Sequence, residues 1–287
     1  VAPSNRIRNN YIGVSAQGTA MLPNGGRGIA LGANTTTTQI FDNLISGNGG
    51  DGVSIASSEA GTNVVGNGIG IGLGGQSFGN GGNGIHVSGN SRGVSLASRF
   101  FAAPFGTPGI ANNAGAGVLV EDFATVDQSS AAISGNSGLE VDLAPLGVTA
   151  NDDTDPDVGP NELLNAPTLV SAQFDSSTLT GTISGTLNST PNTSGFEVFY
   201  FYNDSCDPSG QGGGQYFLTN SAGISTNAQG NASFTRTTNF LPVGKFLTAV
   251  TRRFASTATP LFLITSEFSA CRQIVAVTPL IFMDGFE

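Results

Sequence analysis

One eight-residue pattern recurs five times in the first half of this chain and restricts its fold more than any other feature. The copies are NGGRGIAL (24–31), NGGDGVSI (48–55), NGGNGIHV (80–87), NAGAGVLV (113–120) and NSGLEVDL (136–143). Their leading residues, Asn24, Asn48, Asn80, Asn113 and Asn136, are spaced 24, 32, 33 and 23 apart. A fixed turn followed by a short strand, repeated at this kind of interval, is the signature of a solenoid. Each copy ends in two apolar residues flanking a variable one. Ile29, Val53, Ile85, Val118 and Val141 align, as do Leu31, Ile55, Val87, Val120 and Leu143. That period of two sends the flanking pair inward and the middle residue (Ala30, Ser54, His86, Leu119, Asp142) to solvent. A second strand precedes each motif, at 5–13, 38–48, 62–72, 92–101 and 131–136. The expectation is a parallel β-helix of about five rungs over residues 1–148. Its asparagines should stack into a hydrogen-bonded ladder, and its glycines should allow tight corners.

Composition agrees with a turn-rich β fold. Gly supplies 42 of 287 residues and charged residues only 10%, against about a quarter in a typical domain. The net charge of −10 repels the polyphosphate backbone of nucleic acid, so no nucleic-acid partner is expected. One lysine, Lys245, is too little for electrostatic binding to a membrane surface, and no apolar run is long enough to span one. No membrane insertion is expected.

The character changes at Val148. Residues 149–164 read as an acidic, Pro-containing linker, and most of the 19 phenylalanines follow it. From 165 to 277 come alternating strands at even spacing: 168–174, 177–187, 195–202, 214–220, 231–238 and 244–253. This predicts an antiparallel immunoglobulin-like β-sandwich. Residues 273–287 read as a final strand followed by a C-terminal tail (278–287) that ends acidic, or as an extension that pairs with another molecule's sheet edge. Cys206 and Cys271 are either buried thiols or one disulfide. The even count in a chain that looks secreted favours the disulfide.

With these residues laid out, the chain resembles a family of bacterial secreted right-handed parallel β-helix repeat proteins. NYIGVSAQGTAMLPNGGRGIAL (10–31) and NLISGNGGDGVSI (43–55) are similar to its repeat units. TLNSTPNTSGFEVFYFYNDSCDPSGQGGGQYFL (186–218) and TSEFSAC (265–271) are similar to the sandwich module that often follows them. The ending IFMDGFE looks like one found on secreted proteins of some Gram-negative bacteria. The resemblance implies an extracellular or cell-surface location in a bacterium, and it implies no particular activity.

Three candidate sites stand out. Asp153, Asp155, Asp157 and Asn161 offer oxygen ligands at spacings that suit Ca²⁺, although the order departs from an EF-hand loop. No other cofactor is expected. Phe100, Phe101 and Phe105 form either an exposed patch for a sugar or partner, or an apolar flap against the solenoid wall. A polysaccharide-cleaving enzyme would need convergent carboxylates. Here Asp42, Asp51, Glu59, Glu121, Asp122, Glu140 and Asp142 are scattered over different rungs and corners, with only Glu121/Asp122 and Glu140/Asp142 close in sequence. His86, the only histidine, has Ser54 and Leu119 as aligned neighbours and reads as an ordinary surface residue. No catalytic residues are therefore expected.

The leading expectation is a non-enzymatic structural protein, a fibre or surface-appendage subunit. Its first rung would receive the C-terminal region of the next copy, giving a homopolymer. The alternative is a secreted polysaccharide lyase or hydrolase, or a glycan-binding adhesin on the same scaffold.

Overall fold

The structure is a computed structural model that describes residues 5–33, 35, 37–56, 61–98, 109–256 and 261–277. The first half is the expected parallel β-helix of five rungs. One wall stacks Asn5–Arg8, Thr38–Phe41, Asn63–Val65, Val94–Ala97 and Val126–Ser130 in parallel. A second stacks Ile29–Leu31, Val53–Ile55, Ile85–Val87, Val118–Val120 and Val141–Leu143, the motif strands, in register. The third runs through Tyr11–Ile12, Leu44–Ile45 and Gly68–Ile69, then continues by single parallel bridges to Ile110 and Ile133.

The flanking motif residues are buried in columns, as their alternation predicts. Each fully buried Ile or Val contributes about 1.5–3 kcal/mol, and the stacked Ile, Val and Leu side chains form one continuous core. The middle positions need a correction. Ala30 is exposed, but Ser54, Leu119 and Asp142 are buried. At Asp142 the chain folds back, so that the Gly147 N–H lies 3.2 Å from its carboxylate. Ser54 and Leu119 flank His86 in register and are covered within a wall of closely spaced side chains.

The second half is a two-sheet sandwich. One sheet has the order Asn231–Thr238, Thr180–Asn188, Thr168–Asp175, Val275–Ala276. The other has the order Tyr216–Ser225, Ser194–Asn203, Phe246–Phe254, Leu263–Thr265. Pairing is antiparallel except for Val275–Ala276 on Thr168–Asp175. Phe196, Val198, Tyr200, Leu247 and Ile264 fill the space between the sheets. The Cys206–Cys271 disulfide is formed.

The second sheet is buried on both faces. Its outer side carries Phe199, Phe201, Val250 and Phe268, which belong to the solenoid's core rather than the sandwich's. Ile133 makes an antiparallel bridge to Gly214. Gln128 Nε2 donates to the Ser266 carbonyl at 2.8 Å, and the Leu143 N–H donates to Glu267 Oε1 at 2.9 Å. Arg252 lies 4.4 Å from the Phe199 ring centroid and reaches Ser129 and Asp127 on the last rung. The sandwich thus acts as a further layer on the solenoid.

The segment between the two domains is therefore not a free linker. Asn161 is fully buried. Its Oδ1 accepts the Val126 N–H at 2.6 Å, and its Nδ2 donates to the Val126 and Thr265 carbonyls at 2.8 and 2.7 Å. Glu162 pairs with Arg253 at 2.8 Å. Asn161, Glu162 and Leu163 pass consecutively through positive φ (48°, 54°, 46°). Such strain persists only where the surroundings over-determine it, and here the wedge between solenoid and sandwich does so.

Candidate functional site

The motif asparagines form the expected ladder with one polarity throughout. Asn24 Nδ2 donates to Asn48 Oδ1 at 2.8 Å, Asn48 to Asn80 at 2.9 Å, Asn80 to Asn113 at 2.8 Å and Asn113 to Asn136 at 2.8 Å. From Asn48 onward the backbone N–H of each also donates to the next Oδ1. A second ladder escaped the sequence reading. Asn10 donates to Asn43 and Asn43 to Asn67, each at 3.0 Å. Its signal was present, since each of these asparagines stands two residues before an isoleucine.

The glycine at the fifth position of the motif explains how the ladder ends. A Cβ at Gly28, Gly52, Gly84 or Gly117 would lie 2.6–2.7 Å from the carbonyl oxygen of the next rung, so only glycine fits. In the last copy this position is Glu140. No solenoid rung follows, and the side chain folds onto the ladder's end. Glu140 Oε2 accepts Asn136 Nδ2 at 2.6 Å, and Oε1 accepts the Gly135 and Asn136 N–H groups at 2.6 and 3.3 Å. Burial pushes the carboxyl up to about 7 against the pull of these donors.

The residues before this glycine in the first two copies, Arg27 and Asp51, begin a charged column. Asp51 receives Arg27 Nε at 3.2 Å and the Asn83 N–H at 2.9 Å. Its Oδ2 lies 3.5 Å from His86 Nδ1, and His86 Nε2 lies 2.6 Å from Glu121 Oε2. Four successive rungs thus contribute Arg27, Asp51, His86 and Glu121, alternating in sign when the imidazole is protonated. Burial raises the Asp51 carboxyl, but His86, the Asn83 amide and Arg27 outweigh it and hold the group at about 2. Asp51 raises His86 above its ordinary value, with Glu121 adding to the effect and burial opposing it. His86 is therefore not an ordinary surface histidine. Both ring nitrogens face carboxylates, which leaves neither clear to act as a base toward a substrate.

The candidate calcium ligands are rearranged. Asp152, Asp155 and Asp157 bring carboxylate oxygens within 4.8 Å of one another. Thr154 and Asp155 adopt positive φ (68° and 54°), turning the chain so that Asp152 rather than exposed Asp153 joins the group. Asn161 is the second correction, because its amide is consumed as the interdomain wedge. Burial pushes Asp155 up to about 6, opposed by its bond from Ser189. Burial and then Asp152 raise Asp157. Asp152 Oδ1 and Asp157 Oδ1 are buried with no hydrogen-bond partner among the described residues. That donor set fits a hard divalent cation. Phe100, Phe101 and Phe105, and the tail 278–287, lie outside the described residues.

No protein-family model matches this chain, and no match among curated proteins was found. Among the described residues, no helix is long and apolar enough to cross a membrane.

Proposed function

We propose that this chain is a non-enzymatic extracellular structural protein, a rigid rod that assembles head to tail through its first rung. Gly26 carries this reading, with Gly25 beside it. In the second and third rungs the glycines equivalent to Gly25 have no room for a side chain, while the fourth and fifth rungs carry Ala114 and Ser137 there; the position of Gly26 is glycine in every copy. A Cβ at Gly49 would meet the Gly25 carbonyl at 2.9 Å, and one at Gly81 would meet the Gly49 carbonyl at 2.6 Å. At Gly25 and Gly26 nothing among the described residues lies within 4 Å, and neither residue has positive φ. Neither space nor backbone conformation within the described chain asks for glycine there. A β backbone stacked on the first rung, from a neighbouring copy or from chain preceding Val1, would.

The solenoid's far end is sealed by Glu140 and the sandwich. A neighbouring copy would therefore contribute backbone from its sandwich or its C-terminal residues, not its last rung. The carboxylates also favour a structural role. Asp51, Glu121, Asp122, Asp127, Glu140 and Asp142 each tie rungs, turns or domains together, which leaves no free acid/base pair among these six. The disulfide suits an oxidising compartment. With the sequence resemblance, it supports a place outside a Gram-negative cell or on its surface. Calcium at Asp152, Asp155 and Asp157 would stiffen the joint between solenoid and sandwich. Negative-stain imaging of native material tests the assembly: filaments are expected, and uniformly single particles would refute it.

A further inference from the structure

Asparagine followed by glycine is a chemically labile pair, because glycine puts no side chain beside the nitrogen that attacks the asparagine amide. The chain holds five such pairs, at Asn24, Asn48, Asn67, Asn80 and Asn83. In four of them the attacking nitrogen is occupied. The Gly49 N–H donates to the Asn24 carbonyl at 2.9 Å, Gly68 to Asn43 at 2.9 Å, Gly81 to Asn48 at 2.8 Å and Gly84 to Ala116 at 2.9 Å. Asn48, Asn67 and Asn80 are also buried, and the Asn83 amide is held by Asp51 at 3.1 Å. Gly25 differs. It lies on the first rung, its N–H has no acceptor among the described residues, and both it and Asn24 are exposed. Among the described residues the Asn24 side chain makes one bond, from Nδ2 to Asn48 Oδ1 at 2.8 Å.

We propose that Asn24 is a site of spontaneous covalent modification, converting to aspartate and isoaspartate while the other four pairs stay intact. The Gly25 nitrogen attacks Asn24 Cγ and closes a five-membered imide. The bond from Cγ to Nδ2 breaks, and ammonia leaves with the proton that Gly25 gives up. Water then opens the ring at either carbonyl. A hydrogen-bonded N–H resists this chemistry, because its proton must be lost and the nitrogen must turn toward the side chain. Ring closure also needs backbone motion, which a rung packed on both sides opposes. The product removes the first donor of the ladder. A carboxylate at this position sets two acceptors face to face across the 2.8 Å contact with Asn48 Oδ1. Isoaspartate also lengthens the backbone by one carbon on the rung that a neighbour would cover. A neighbour stacked there would supply the missing acceptor and protect Asn24, as each rung protects the next. That last step alone rests on the assembly proposed above; the modification itself concerns the single molecule.

Peptide mapping by mass spectrometry would follow the intact single molecule at mildly alkaline pH, and the same chain unfolded in denaturant. Unfolded, all five pairs should convert at similar rates, which sets the intrinsic scale. Folded, Asn24 should convert within a few-fold of its unfolded rate, and the other four at least about tenfold more slowly than theirs. Gly25→Ala should slow conversion at Asn24 with the melting temperature unchanged, since open space surrounds that residue. Folded protein in which Asn24 is protected as well as Asn48 would overturn the proposal. So would faster conversion at any of the other four pairs. Filaments that convert at Asn24 as fast as single molecules do would uphold the site and count against first-rung stacking.

Discussion

Asn136 Nδ2 donates to Glu140 Oε2 at 2.6 Å, ending a ladder that runs from Asn24 on a carboxylate instead of another amide. The two residues belong to the same motif copy, and Glu140 stands where the other four copies have glycine. Restoring the repeat with Glu140→Gly would leave two backbone N–H groups without acceptors and Asn136 Nδ2 with only the Ile110 carbonyl, at 3.2 Å. Each unsatisfied buried donor costs about 1–3 kcal/mol, reduced where cleft water can enter. Denaturant unfolding should show a net loss of about 2 kcal/mol. An unchanged midpoint would mean that Glu140 does not cap the ladder.

Glycine substitutions should separate sharply by rung. In Gly84→Ala the new methyl would meet the Gly117 carbonyl at 2.6 Å and Ile110 Cγ2 at 2.5 Å. Overpacking of this kind costs roughly 1–3 kcal/mol. Gly25→Ala, with open space around it, should leave the melting temperature of the single molecule within a degree or two. Equal destabilisation by both changes would contradict the stacking geometry.

The charged column predicts a stability profile with two edges. The folded pKa of His86 lies above its ordinary 6.5. Its contribution is therefore complete below pH 6.5 and disappears as pH rises through the folded value. Asp51 is depressed from 3.8 to about 2, so its contribution is present above pH 3.8 and disappears as pH falls through about 2. His86→Gln should flatten the alkaline edge. The effect should be about 0.5–1 kcal/mol, because His86 and Glu121 are partly solvated. A wild-type melting curve with no alkaline edge would refute the column's role.

Calcium should raise the melting temperature by several degrees at millimolar concentration, since binding only the folded state stabilises it. Asp157→Asn should remove most of that gain, and Asp153→Asn should not. If Asp153→Asn abolished the effect, the ligand set assigned from geometry would be wrong.

The rungs and the Asn24 ladder were legible because the motif repeats with its strand in fixed phase, and stacking needs only that. The His86 column was not legible. Its partners Asp51 and Glu121 come from corner positions, while the residues aligned with His86 are Ser54 and Leu119. Glu140 could have been found, since a charged residue at an otherwise invariant glycine of the repeat marks the end of stacking. Asn161 had ligand spacing but went to a structural use that depends on Thr265, a residue far along the chain. Spacing alone carries no information about such a distant partner.

Stacking on the first rung is the central claim, and the solution mass of native protein tests it most directly. It would be measured by light scattering for the wild type and for Gly25→Ala with Gly26→Ala. The account predicts assembly of the wild type, and a monomer with unchanged melting temperature for the double variant. A wild type that stays monomeric at every concentration, or a double variant that assembles equally well, would contradict it.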